Sequence, residues 1–291
     1  MFRQVLSMVF CNVMWGMSFI ASKHALTSGF SPMMLALARY VLAAACLVPI
    51  TLLKEKRMRL HRADLVPMLL SGITGITLYY FFEYQGIQRT STVNASLILA
   101  AIPIMTMAAE AVIDRKRMKG VQIAGAAISV IGTALIVLGG ANEGSATLLG
   151  DLCILGASVV WVAYIFFSRK LRGRYSSLAM NSWQAVAALA TLIPMAALDP
   201  CDLSAIPADG WLAAAALAVI CSALCYWLYG NALYEMSPLA SAIYINLIPL
   251  TTIIGGVLLL GETLTWQAVA GGVMIIGSIF LVNTAEGNHE G

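Results

Sequence analysis

Four ionisable side chains stand inside long apolar stretches of this 291-residue chain: Lys23, Arg39, Glu83 and Glu110. A charge at the centre of a membrane-crossing helix costs about 2.5 to 3.5 kcal/mol on insertion scales, so each one is a functional candidate by default. Arginine presents a planar fork that matches a carboxylate in two-point fashion. Arg39 is therefore expected to bind either Glu83 or the carboxylate of a small-molecule ligand. Glu83 can also take up and release a proton, which would couple movement of that ligand to protons. The structural alternative is an Arg39–Glu83 ion pair with Lys23 snorkelling to the surface. Glu110 lies seven residues after Pro103, on the face of Ala100, Pro103 and Met107. It reads as an interfacial carboxylate beside the Arg115 to Lys119 cluster in preference to a second coupling group.

Aromatic and amide side chains surround these charges in sequence. Tyr79 and Glu83 share a helical face at i,i+4, as do Ser222 and Tyr226 with Tyr229 close by. Such a wall can stack an aromatic group or hold an ammonium. A belt at the membrane interface is the competing reading for Tyr84 and Trp211. Trp15 and Trp161, at matching sites, either flank the same space or pack the spans together; Asn12, one turn before Trp15, favours the first, and Asn246 shares the face of Pro249. Pro103 and Pro249 remove backbone hydrogen bonds in mid-span, which marks them as helix-break candidates.

These residues need elements to carry them. Sixty per cent hydrophobic residues, 11% charged residues and a mean hydropathy of +0.86 leave too little polar surface to coat a soluble globule of this length. The chain is therefore expected to lie in a lipid bilayer. A spanning helix needs roughly 20 mostly apolar residues, and ten stretches qualify, near 4–23, 32–53, 65–86, 93–113, 120–140, 149–168, 176–197, 211–234, 239–260 and 265–284. The fold class that follows is an all-α integral membrane protein. No soluble domain fits in what remains. The net charge of +3 sits in short loops, which argues against a nucleic-acid partner.

Basic residues gather in three alternate loops: Lys54 to Arg62, Arg115 to Lys119 and Arg169 to Arg174. By the positive-inside rule that side is cytoplasmic, and both termini lie on it, in an inner-membrane protein with a short cytoplasmic tail over 286–291. Met1 to Ala25 could be read as a signal peptide, but it lacks a convincing small-residue cleavage site. With this orientation and about 1.5 Å of rise per residue, Arg39 lies about 10 Å and Glu83 about 5 Å below the outer surface. Lys23 at the outer end of its span is then expected to join them.

The chain is written twice. Tyr80 and Tyr226, Ser91 and Ser237, and Pro103 and Pro249 are each 146 residues apart, and Trp15 with Lys23 matches Trp161 with Arg169. The two copies are expected over 1–142 and 148–285. Five spans per copy is an odd number, so the ten transmembrane helices form two inverted five-helix repeats. That architecture recurs in secondary transporters, with the ligand site between the halves and alternating access by rocking about it.

Several residue runs carry a resemblance. Trp15-Gly16-Met17-Ser18-Phe19 followed by Lys23, then Ser31-Pro32 and Ala38-Arg39-Tyr40, resembles the opening of an EamA-type half of the drug/metabolite transporter superfamily. Asn94 to Ile98 with Ile102-Pro103, Pro238 to Pro249, and Gly261-Glu262 leading to Gln267 and Gly271 are similar to the same family. The resemblance implies a ten-helix carrier that exports amino acids or related small zwitterions. Two positions depart from the family pattern: Arg117 stands where a Glu is expected, and Glu83 where an apolar or small residue is. Run in reverse, the same cavity would serve uptake or exchange of a cationic or aromatic compound, and a passive channel or a membrane scaffold is the remaining class.

Enzyme chemistry is disfavoured. Neither an HExxH zinc motif nor a GxSxG elbow is present, and His24, His61 and His289 lack metal spacing. Of the six cysteines, Cys11, Cys46, Cys153, Cys221 and Cys225 fall within apolar spans and read as small core residues, while Cys201 lies outside them. No cofactor or metal is implied, and no residue pattern specifies an oligomeric state.

Overall fold

In lipid every backbone polar group must find an internal partner, so long apolar runs fold as helices. The protein, seen in a computed structural model that describes residues 2–55, 58–115, 118–143, 145–171, 173–229 and 247–287, is all-helical over those residues. In chain order the helices are α1 (Phe2–Thr27), α2 (Pro32–Glu55), α3 (Leu65–Gly72), α4 (Tyr79–Arg89), α5 (Thr92–Leu99), α6 (Ile102–Ile113) and α7 (Gly120–Glu143). They continue with α8 (Ser145–Arg169), α9 (Ser177–Ala197), α10 (Ala208–Ala216), α11 (Leu247–Leu260) and α12 (Trp266–Gly287). A 3₁₀ turn (Arg62–Asp64) precedes α3. Eight helical segments are long and apolar enough to cross a membrane, and two shorter apolar helices, Leu247–Leu260 and Trp266–Val282, follow.

Two spans contain wide turns at matching places. A π-helical segment, Ile73–Leu78, joins α3 to α4, and a second, Leu217–Leu224, continues α10. The fourth span is divided between α5 and α6. Pro103 sits in the first turn of α6 and has no N–H for the Leu99 carbonyl, the last residue of α5. Pro249 lies in the first turn of α11.

The matched helices of the two copies run antiparallel. Ser31 at the start of α2 donates to the Asp199 carbonyl just beyond the end of α9, at 2.5 Å, and the Asp199 carboxylate accepts the Met33 N–H at 3.0 Å. At the opposite end, Ser176 caps α9 through the Ala179 N–H and donates to Glu55, the last residue of α2. Each helix start thus receives an anionic or carbonyl oxygen from its partner's end, where orphan N–H groups and the helix dipole favour one. Helices α7 and α12 repeat the arrangement: Gly125 faces Val282, Gly132 faces Gly271 and Met274, and Gly139 faces Gln267. A β-carbon on Gly132 would lie 2.8 Å from the Gly271 carbonyl oxygen, so only glycine permits this approach.

Helix ends are also tied across the bundle at the end opposite the basic loops. Lys23 donates to the Ile87 and Thr90 carbonyls, 2.5 and 2.8 Å away, and so caps α4. Gly261, with φ of 66°, turns the chain after α11 and sends Glu262 back to the start of α5. There Glu262 accepts from the Thr92 N–H, the Thr92 hydroxyl and the Val93 N–H at 2.8, 2.9 and 3.1 Å. Asp151, fully buried on α8, accepts from the Thr90 hydroxyl at 2.5 Å and from Asn94 at 3.4 Å. Glu262→Ala is expected to lower the thermal unfolding midpoint of the purified protein through loss of this cap, about 0.5–2 kcal/mol. Scanning fluorimetry on both proteins checks it.

Candidate functional site

Helical spacing gathers the central side chains. On α4, Tyr79, Tyr80, Glu83 and Tyr84 fall at i, i+1, i+4 and i+5 and so share one inward face. Arg39 and Tyr40 come from α2, Trp161 and Tyr164 from α8, Trp15 from α1, and Ser222 with Tyr226 and Tyr229 from the span that begins with α10. Arg39 is 3% exposed and Glu83 6% exposed. Both ionisable groups are therefore inside the protein and away from lipid.

Arg39 is held by neutral groups. Its Nε donates to the Ser222 hydroxyl at 2.8 Å and its Nη1 to the Tyr84 hydroxyl at 3.0 Å. Its guanidinium lies over the Tyr80 ring, 4.6 Å from the centroid. Arg39 forms no ion pair with a carboxylate among the described residues. Glu83 instead accepts from the Tyr79 hydroxyl at 3.0 Å. Of the two partners expected for Arg39, Glu83 is therefore not in direct contact with it among the described residues: Ser222 and Tyr84 take two of the guanidinium's five N–H donors, and Glu83 accepts from Tyr79.

The expectation for Lys23 is corrected too. Residue counting sets it at a similar depth, but its ammonium ends on the α4 carbonyls described above. Tyr84 does not belong to an interfacial belt, since it is fully buried and bonded to Arg39. Trp211, 37% exposed, packs edge-on against Phe30.

Aromatic rings close the site. Trp161 packs on Tyr79 and Tyr164 with centroids 4.8 and 4.7 Å apart, and Trp15 on Tyr226 and Tyr229 at 5.5 and 4.9 Å. The Trp15 indole donates to the Cys221 carbonyl within the second π segment at 2.9 Å. A small cavity remains among Tyr40, Gly75, Trp161, Tyr164, Ser222 and Tyr226, with a volume of about 20 Å³. One water needs roughly 10–15 Å³ of such space. In this conformation the cavity has room for about one water and none for a metabolite. Gly75 and Ser222 each lie in a π segment, a distortion frequent at functional sites.

Of the sequence candidates among the described residues, only Trp161 and Tyr226 line the cavity; Trp15, Arg39, Tyr79, Glu83 and Tyr229 pack in the cluster around it, and the others lie elsewhere. Asn12 is fully buried, but its Nδ2 donates to Met8 on its own helix at 2.7 Å, and its Oδ1 has no partner among the described residues. Glu110 lies at the basic end, 3.7 Å from Arg169, whose fork is taken by Asp114 at 2.9 and 3.0 Å. Asn246 lies outside the described residues. Tyr40, Gly75, Tyr164, Asn181, Gln184 and Ser222 line the cavity, yet only Tyr40 and Ser222 stand in a motif or face singled out in the sequence. For Gln184 a signal existed: it stands 145 residues after Arg39, the offset that relates Ser31 to Ser176. No group of three or more His, Cys, Asp or Glu that could hold a metal occurs among the described residues.

Known proteins resemble this chain in sequence and fold. The EamA-like transporter family model matches the chain twice, over residues 3–138 and 148–284. A Bacillus subtilis (strain 168) protein named "Uncharacterized transporter YyaM" is 30% identical over 251 residues, 84% of this chain and 81% of that protein. A "Probable terminal-alkyne amino-acid exporter" of Streptantibioticus cattleyicolor is 27% identical over 97% of this chain and 93% of its own length. A "Probable amino-acid metabolite efflux pump" of Salmonella typhimurium is 26% identical over 92% and 91%. One solved crystal structure superposes with a TM-score of 0.67 at 18% identity, over 96% of both chains, a likeness of fold. Matched over both halves by one family model, the chain belongs to the EamA-like transporter family, within the drug/metabolite transporter superfamily.

Proposed function

We propose that this protein is a secondary active transporter of the inner membrane that exports small metabolites, amino acids or related zwitterions, by alternating access, with both termini cytoplasmic. The observation that carries this reading is Arg39: a buried cation between inverted helices, bonded only to neutral side chains among the described residues. A buried charge without a carboxylate in direct contact is costly. A ligand carboxylate meets that need and displaces weak hydroxyl partners in exchange for a charge-assisted pair. Trp161 and Tyr226 line the cavity beside this Arg39 cluster, and Glu83 with Tyr79 packs next to them, a setting that favours a ligand ammonium. The relatives named for amino-acid export and metabolite efflux support the substrate class.

The closed centre supports alternating access. A cavity of about 20 Å³ admits no amino acid, so the halves must part for a ligand to enter. The two repeats copied over 1–142 and 148–285 are the bodies that rock, with the break at Pro103 and its counterpart Pro249 as flexing points.

Glu83 is the proposed coupling group. It is a carboxylate buried in the same side-chain cluster as Arg39, so on this reading its proton and a ligand ammonium compete for one position. Glu110, exposed at the basic end beside Arg169 and Asp114, takes an interfacial role. A second reading, uptake or exchange of a cationic or aromatic compound, draws on the same Glu83 and aromatic wall.

Two measurements test this reading. In counterflow across proteoliposomes loaded with an amino-acid panel, Arg39→Gln is expected to lose at least tenfold in apparent affinity for a carboxylate substrate, about 1.4 kcal/mol. Undiminished counterflow would remove Arg39 from the site, and linear, non-saturating flux would point to a pore. Glu83→Gln is expected to abolish the dependence of transport on an imposed proton gradient. If its pH profile matches that of the parent, Glu83 has no coupling role.

A further inference from the structure

A second concavity lies at the basic end of the bundle, between the end of α2 and the start of α9. Its volume is about 240 Å³, far larger than the central cavity, and it is lined by Glu55, Arg59, His61, Arg174, Tyr175 and Ser176. Its walls are joined by polar contacts, of which the Tyr175–Asp64 bond is buried. Asp64, 4% exposed, accepts from Arg174 at 2.5 Å and from the Tyr175 hydroxyl at 2.9 Å. The Tyr175 hydroxyl in turn accepts the His61 N–H at 3.1 Å. On the other side Ser176 caps α9 and donates to Glu55.

Arg174 has its carboxylate in Asp64. Two exposed charges of this pocket, Arg59 and Glu55, are in no ion pair among the described residues, and Glu55 accepts from Ser176. They do not pair with each other across the concavity. An anionic oxygen group would be drawn to Arg59 and the free edge of Arg174, and an ammonium to Glu55. Inorganic anions satisfy only the first, and simple amines only the second.

We propose that this pocket is a ligand site, separate from the central one, for a zwitterion that joins an ammonium to a carboxylate or phosphate. Two sources share that chemistry: the ethanolamine phosphate headgroup of a membrane lipid and a free amino acid. Position at the edge of the bundle suits the first, and family membership the second. Binding here requires no transport, so the proposal stands or falls apart from the export reading.

Thermal unfolding of the full chain in detergent tests it, with glycerophosphoethanolamine and L-alanine as probes and glycerol phosphate and ethanolamine as single-charge controls. A ligand that binds the folded state raises the midpoint by mass action. One zwitterion is expected to raise it saturably, with at least tenfold weaker apparent affinity in Arg59→Gln and in Glu55→Gln, and with binding kept in Arg59→Lys. A shift by glycerophosphoethanolamine identifies the headgroup, and a shift by L-alanine the metabolite. The proposal is overturned if neither probe shifts the midpoint, or if glycerol phosphate binds as tightly as the zwitterions. It is equally overturned if an L-alanine shift persists unchanged in both variants, which assigns that shift to the central site and leaves the export reading intact.

Discussion

The centre of this protein depends on a buried guanidinium whose hydrogen-bond partners among the described residues are hydroxyls, with no carboxylate in direct contact. Arg39 keeps its charge in the bundle because Ser222 and Tyr84 accept its N–H groups and the Tyr80 ring lies beneath it. Hydroxyls and ring faces solvate a cation less completely than water does. The arrangement holds the charge in place and, on the proposed reading, leaves it receptive to an anion. A permanent ion pair with Glu83 would satisfy Arg39 and remove that receptiveness.

Repeat symmetry and its breaking divide the labour. Reciprocal caps between α2 and α9 and the glycine seam between α7 and α12 bind the halves as antiparallel partners. Trp15 and Trp161 stand at equivalent positions and each braces the aromatic face of the other half. The charges are not duplicated. Gln184 stands at the position equivalent to Arg39 and donates to Ser71 and Ser168, while Tyr229 stands where Glu83 would recur and packs on Trp15. Both halves supply the frame, and the first supplies the electrostatics.

The frame was legible in the sequence because it follows from long-range regularities. Apolar runs of spanning length, basic alternate loops and the 145- to 146-residue offset require no knowledge of side-chain direction. Side-chain partners were less legible for a definite reason. Depth estimated from residue number placed Lys23 beside Arg39 and Glu83, but a lysine stem reaches several ångströms, and the α4 carbonyls lie within its range. Likewise Glu262 appeared only as part of a loop motif, although it bridges to α5 across the chain. The π segments carry no pattern that separates them from α-helix, yet they set Gly75 and Ser222 at the cavity wall.

Comparison of a carboxylate ligand with its own neutral amide tests the central claim most directly. The claim is that Arg39 awaits a carboxylate, so an amino acid that stabilises the full chain against heat should do so at least tenfold more tightly than its carboxamide. Equal stabilisation by the two would contradict it, because the guanidinium would then contribute nothing that a neutral group cannot supply.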